Sequence, residues 1–254
     1  MNHYKRLIRS RASLAMNEQG LMLLRNLDYE EAITFFHGGL ETLLEEHQCC
    51  PVDDVKFSSK SADLLRAKAS DDKASFGLAT RTNLLMSASY SLDTIQEIHN
   101  EILTLFNKPL SLRVELLDEV WDDDVVQNLL IGVYFYNAGL AFHLQALASN
   151  SSESMSKAAE HYAISYARFL YCSFYNGKDV DATLGLLVTS NNIAHIHAFC
   201  RNMEQVEVCV EELASKLSNF VTQSGDTHHV NNCRMFLQNV CYFQESVFLS
   251  APAA

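Results

Sequence analysis

Ten histidines and seven cysteines are the side chains in this chain most able to hold a metal or attack a substrate. Their spacing argues against both uses. His195 and His197 are two residues apart, so on a helix they point nearly 200° from each other and cannot chelate one ion together. His228 and His229 are adjacent and meet the same obstacle. No H-E-x-x-H occurs. Cys49 and Cys50 are neighbours, and no pair has C-x-x-C spacing. An odd, irregularly spaced set points to reduced thiols in a cytosol-like compartment, not to a disulfide framework or zinc knuckle. A cysteine nucleophile needs a histidine beside it in the fold, and nothing in the chain requires that meeting. G-x-S-x-G, G-x-x-x-x-G-K-[ST] and G-x-G-x-x-G are all missing, and nine glycines are too few to cradle phosphate. The expectation is a protein with no catalytic residue, no metal and no cofactor.

Charge narrows the partners. The formal net charge is −12. From Val114 to Ser156 there is no Lys or Arg, while Glu115, Asp118, Glu119, Asp122, Asp123 and Asp124 crowd the start. Such a surface repels phosphate, which argues against nucleic acid. An Asp of the triplet also suits the N-cap of a following helix. No apolar run approaches the ~18 residues free of polar groups that a membrane span needs, so no membrane is expected. The start of the chain carries Lys5, Arg6, Arg9 and Arg11 and no acid before Glu18. It reads as the basic beginning of a first helix in a cytoplasmic protein, with an organelle transit peptide as the alternative.

What would position a site is helical. Gly (9) and Pro (3) are scarce, and strand-rich folds need them at turns. Helix is expected for roughly 60% of residues or more. In "DYEEAITFFHGGL", Tyr29, Ala32, Phe36 and Gly39 fall at steps of three, four and three. Upstream, "SLAMNEQGLMLLRNL" carries Leu14, Leu21, Leu24 and Leu27, with Gly20 twelve residues before Ala32. Two amphipathic helices joined at "RNLD" make a hairpin. Small residues at Gly20, Ala32 and Gly39 permit close contact, and Tyr29 and Phe36 fill the space around it. One hairpin cannot bury both faces, so it needs neighbours.

This pattern resembles the tetratricopeptide repeat (TPR), on Gly20, Tyr29, Ala32, Phe36 and Gly39. Met16, Gln19 and Leu23 depart from it, standing where Trp, Leu and Tyr are usual. The resemblance implies an all-α fold, an irregular TPR-like array of helical hairpins (an α-solenoid) in one domain over 1–254. The first hairpin is placed at 13–46. A second, at 129–170, combines Asn137, Gly139 and Phe142 in "YFYNAGLAFHLQAL" with Ala158, Tyr162 and Ser165. Its Gly139-to-Ala158 gap is nineteen residues, which "SNSSES" would fill as a longer loop. A third, degenerate hairpin at 183–218 has Ala194 in the glycine place, then Val206, Val210 and Leu213. A capping helix at 226–250 covers the open end. "YNAGLAFHLQAL" and "NNIAHIH" also make the chain similar to a group of repeat proteins abundant in diatoms, which implies a fold and no activity.

Residues 47–128 form a small non-helical insertion. Its first part is polar, charged and weakly periodic, as in a partly mobile segment. Further on, Ile95, Ile98, Ile102 and Leu105 fit a helix, whereas Leu103, Leu105, Leu110, Leu112 and Val114 alternate across "NKP" and fit a β-hairpin. Pro109 favours the hairpin. Trp121 could staple against the helix that follows the acidic triplet.

The TPR resemblance places the first helix of each hairpin on a concave face. The exposed stripe there would include Asn17, Leu21 and Leu24, then Tyr136, Asn137, Leu140 and His143, then Asn191, Asn192, His195 and Phe199. Asn donates and accepts at once, which suits a peptide backbone. Tyr and Phe add rigid apolar contact. The function expected is a protein- or peptide-binding adaptor or scaffold, with a neutral or basic segment as partner. Two rivals stand beside it: a small-molecule enzyme or sensor with a His/Cys-lined interior, and a structural subunit of a larger complex.

Overall fold

A computed structural model describes residues 3–44, 84–88, 103–114, 124–175, 180–224 and 233–243. Among these, helix dominates and the all-α class is observed. Six helices are α1 (His3–Arg25), α2 (Tyr29–Leu44), α3 (Asp124–Ser149), α4 (Ser152–Tyr175), α5 (Val180–Phe199) and α6 (Met203–Ser224). A seventh, α7, covers 233–243. Two short strands, β1 (Leu84–Ala88) and β2 (Leu110–Val114), pair antiparallel with Leu84 opposite Val114 and Ala88 opposite Leu110.

One turn design closes three helix pairs. Leu27, Asn150 and Arg201 have φ of 66°, 52° and 57°. The next residue in each case reaches back five positions: Asp28 N–H to Leu23 O (3.0 Å), Ser151 N–H to Ala146 O (3.1 Å), Asn202 N–H to His197 O (2.9 Å). This left-handed closure satisfies carbonyls that a helix end leaves open. The same Asp, Ser or Asn then caps the following helix, a role for which these residue types are favoured. Their carbonyls accept the first helical bonds, from Ala32, Met155 and Val206. Ser151 Oγ also accepts the Ser154 N–H at 3.2 Å.

The longer loop expected at "SNSSES" is therefore not formed. Asn150 and Ser151 make the turn, and Ser152 to Ser154 are already helical. The extra residues between Gly139 and Ala158 lengthen α3 and α4 by about one turn each. An antiparallel pair can grow equally on both arms without losing register.

Each helix packs on its neighbours in chain order: α1 on α2, α2 on α3, α3 on α4, α4 on α5, α5 on α6. Small residues set the close approaches. A Cβ at Gly20 would stand 2.5 Å from the Phe36 ring, so the glycine of α1 receives the aromatic of α2. Gly39 does not serve that same contact. A Cβ there would stand 2.6 Å from Tyr134 of α3, so Gly39 admits the next hairpin. Ser13 Oγ ties this junction, donating to Gly39 O at 2.8 Å and lying 2.7 Å from the Tyr134 hydroxyl.

The most enclosed helix is α3. By length and composition it could cross a membrane, but 83% of its apolar window is buried inside the protein, against α2 and α4. It is a core helix.

The insertion differs from expectation in two respects. Within it, 103–111 is packed into the body of the protein, with Leu103, Leu105, Phe106 and Leu110 at most 3% exposed. The hairpin across "NKP" is not made either: β2 pairs with β1, and Thr104, Phe106 and Leu110 give backbone groups to asparagine side chains. The polar start of the insertion, the helical alternative around Ile95 and Ile98, Trp121, His228 and His229 lie outside the described residues, as do Cys49 and Cys50.

Candidate peptide-binding groove

Three asparagines, one from each of three helices, hold the segment "LTLFNKPL" (103–110) by its main chain. Asn239 of α7 accepts the Thr104 N–H at 2.9 Å and donates to Thr104 O at 2.8 Å. Asn192 of α5 accepts the Phe106 N–H and donates to Phe106 O, both at 3.0 Å. Asn137 of α3 accepts the Leu110 N–H at 2.9 Å and donates to Leu110 O at 2.8 Å. In each pair one amide side chain satisfies both polar groups of one residue. Two opposed residues of an antiparallel ladder exchange bonds in the same way. Thr104 and Phe106 are two apart, the period at which an extended chain offers the same edge again.

Further groups complete the row. Asn191 Nδ2 donates to Thr104 O at 3.1 Å, and Asn191 Oδ1 accepts from Asn239 at 2.6 Å. The Tyr136 hydroxyl reaches Phe106 O (3.3 Å) and Lys108 O (3.1 Å). Asn17 of α1 accepts from Asn137 at 3.1 Å, and its own Nδ2 is buried without a partner among the described residues. The segment meets α7 first, then α5, then α3. It runs opposite to the chain order of the helices that hold it.

Side chains carry the apolar part. Phe106 stacks on Phe236 of α7, ring centroids 5.3 Å apart. Leu103, Leu105, Pro109 and Leu110 are buried, whereas Thr104, Asn107 and Lys108 are half-buried. Buried backbone groups must find partners. The asparagines provide them where a sheet neighbour would otherwise be needed.

Beneath this row lies a second polar layer. Asn192 Nδ2 also donates to the Tyr162 hydroxyl at 3.1 Å. That hydroxyl lies 3.4 Å from His143 Nδ1, and His143 Nε2 lies 3.2 Å from His195 Nδ1. Burial, reinforced by His195, holds the His143 imidazole well below its ordinary pKa, so it is neutral at physiological pH. Burial likewise pushes the Tyr136 and Tyr162 phenols up. The row and the layer below it are built from amides, phenols and imidazoles.

The candidate residues therefore fall into four groups. Tyr136, Asn137, Asn191 and Asn192 bond the segment directly, and Asn17 bonds Asn137. His143 and His195 pair with each other one layer deeper. Leu21 and Leu140 are core residues, 1% and 0% exposed, and Leu24 is as buried. Phe199 is 45% exposed at the C-terminal end of α5. The expectation of an exposed stripe is corrected: apart from Phe199 the stripe is buried, much of it because the chain's own segment lies over it. Asn239 and the segment itself were not anticipated. Asn-x-small recurs as Asn137-Ala138-Gly139, Asn192-Ile193-Ala194 and Asn239-Val240-Cys241, and that recurrence was the available signal.

No cluster of three or more His, Cys, Asp or Glu able to hold a metal occurs among the described residues. The Cys172 thiol donates to Val125 O at 3.3 Å, and burial pushes the Cys209 thiol up to about 12. The Cys209 thiol is therefore protonated, which is the unreactive form. A second histidine pair joins α2 to α4, with His37 Nε2 2.9 Å from His161 Nε2 and both rings near Phe142.

No protein-family model matches the chain, and comparison with curated proteins and with solved structures yields no match.

Proposed function

We propose that this protein is a non-catalytic adaptor that binds an extended peptide segment along the concave face of an irregular TPR-like array. The observation that carries this reading is the row of asparagines, each satisfying the N–H and C=O of one backbone residue. Side-chain amides at this spacing are indifferent to the ligand's side chains. They serve an extended chain as an added β-strand is served by a sheet edge. The α1–α2, α3–α4 and α5–α6 pairs, closed by one turn design and stacked in chain order, support the array reading.

A displayed library of extended peptides, panned on the full chain, tests the proposal. Binders are expected, with affinity lost on Asn137→Ala and on Asn192→Ala while far-UV circular dichroism is retained. Binders indifferent to both substitutions would place recognition elsewhere and end the proposal.

A further inference from the structure

We infer that the 103–110 segment is a built-in competitor for this groove, and that the partner it excludes is an extended segment of another protein carrying the same Leu-x-Leu-Phe pattern, with no charge at its buried positions. The inference rests on the peptide-binding reading above and adds the ligand's chemistry and its control.

The groove's demands can be read from its occupant. Leu103, Leu105 and Phe106 are at most 3% exposed, so three of the first four positions want large apolar side chains. Phe106 is fixed by its stack on Phe236. Thr104, Asn107 and Lys108 are half-buried and leave those positions permissive. Leu110, fully buried and held by Asn137, sets a second anchor four residues past Phe106. The bonds go to main-chain atoms, which any partner peptide also offers. The groups named beneath are amides, phenols and imidazoles, with no Asp, Glu, Lys or Arg among them, so a charged side chain entering there would lose its hydration without gaining an acidic or basic partner.

Control follows from covalent attachment. The segment leads through β2 towards α3 in the same chain. A tethered ligand acts at an effective concentration of roughly millimolar. A partner's apparent affinity then falls by the fraction of molecules in which the groove is open. The partner must displace the segment, and amides of Thr104, Phe106 and Leu110 then lose the bonds that protect them from exchange.

The test uses the full chain and a fluorescent synthetic peptide of residues 101–112, "EILTLFNKPLSL". Phe106→Asp in the full chain should vacate the groove and raise peptide affinity at least tenfold over the unsubstituted protein. Adding Asn192→Ala should abolish that gain, and a peptide bearing Phe106→Asp should not bind. Peptide binding to the unsubstituted chain should speed hydrogen exchange at Thr104, Phe106 and Leu110, with α3 still protected. If Phe106→Asp unfolds the chain, Thr104→Pro, which removes the N–H that Asn239 accepts, carries the same comparison. Equal affinity with and without Phe106→Asp would show that the segment does not compete, overturning the inference and leaving the peptide-binding reading standing. If the vacated groove rejects this peptide but takes library peptides through Asn192, the stated ligand chemistry is wrong and the reading survives. Absence of any Asn192-dependent peptide would remove both. A concentration-dependent dimer that exchanges the segment between copies would replace the partner with a second copy of this chain.

Discussion

Asn192 and Phe106 are 86 residues apart and exchange two hydrogen bonds of 3.0 Å, side chain to main chain in both directions. The pair is buried, Asn192 at 0% and Phe106 at 2% exposure. Asn192→Ala leaves the Phe106 N–H without its acceptor and takes a donor from the Tyr162 hydroxyl. A loss of about 2–4 kcal/mol is expected from stranding buried polar groups. Asn192→Asp should cost more than the alanine, because it accepts but cannot donate and brings charge into a buried layer of amides, phenols and imidazoles. Urea unfolding of the three proteins checks the order.

Close helix contact gives a second expectation. Gly20→Ala would put a methyl 2.5 Å from the Phe36 ring, and Ala32, 0% exposed, leaves no room for Ala32→Leu. Each should lower stability by about 1–3 kcal/mol, the usual range for an overfilled core. An unchanged melting temperature for Gly20→Ala would show that Phe36 can turn aside at no cost.

Two of the left-handed turn residues, Leu27 and Asn150, should respond unequally to glycine. Leu27 sits at φ 66° with a side chain 48% exposed, so Leu27→Gly removes a steric penalty and loses little packing. A gain of about 1 kcal/mol is expected. Asn150 tolerates its φ of 52° better than leucine, so Asn150→Gly should change little. Parallel melting curves decide between these outcomes.

How far the sequence reveals this site depends on which interactions are local. Helix pairs were legible because Gly20, Ala32 and Phe36 recur at helical spacing. The length of the α3–α4 pair was misread because a seven-residue excess can be loop or helix, and only the Asn150 turn distinguishes them. Asn17, Asn137, Asn191 and Asn192 stood out as side chains that donate and accept. Their ligand did not, since "LTLFNKPL" alternates like a strand and periodicity says nothing about a partner 86 residues away. Asn239 lies on a helix with no recognisable hairpin mate, which removed the frame that located the others.

Acid should weaken the fold through the histidines. Burial, against a smaller opposing effect of its bond to Lys157 O, lowers the His161 pKa from 6.5 to about 4, with His37 and Lys157 nearby adding to the depression. Burial lowers His37 too, partly offset by Glu41 on the same helix. A group depressed in the folded state binds its proton first in the unfolded chain. Stability is therefore full above pH 6.5 and is lost as pH falls from 6.5 towards 4. His161→Gln should flatten melting temperature against pH over that window. A slope unchanged by the substitution would assign the acid sensitivity to other groups.

An acidic chaperone tail ending in a free carboxylate is not expected to bind. The row that would receive it, from Asn17 through Asn137 to Asn239, contains no Lys or Arg, and Asn137 already holds Leu110. Calorimetric titration with such a peptide should give no heat of binding. Low-micromolar binding abolished by Asn137→Ala would contradict this. A basic ligand should instead bind less tightly as salt rises, because a chain of net charge −12 attracts it at a distance.

A stack in which each helix meets only its chain neighbours tends to unfold from its ends, one unit after another. The 103–114 segment breaks that rule. It bonds α7 through Asn239, α5 through Asn192 and α3 through Asn137, and β2 rests on α1. Helices far apart in the chain thus share one girder, and none of them can fray without loosening it. The transition should be all-or-none, with a steep denaturant dependence, and folding should be slow for a helical protein because these long-range bonds must close a large loop.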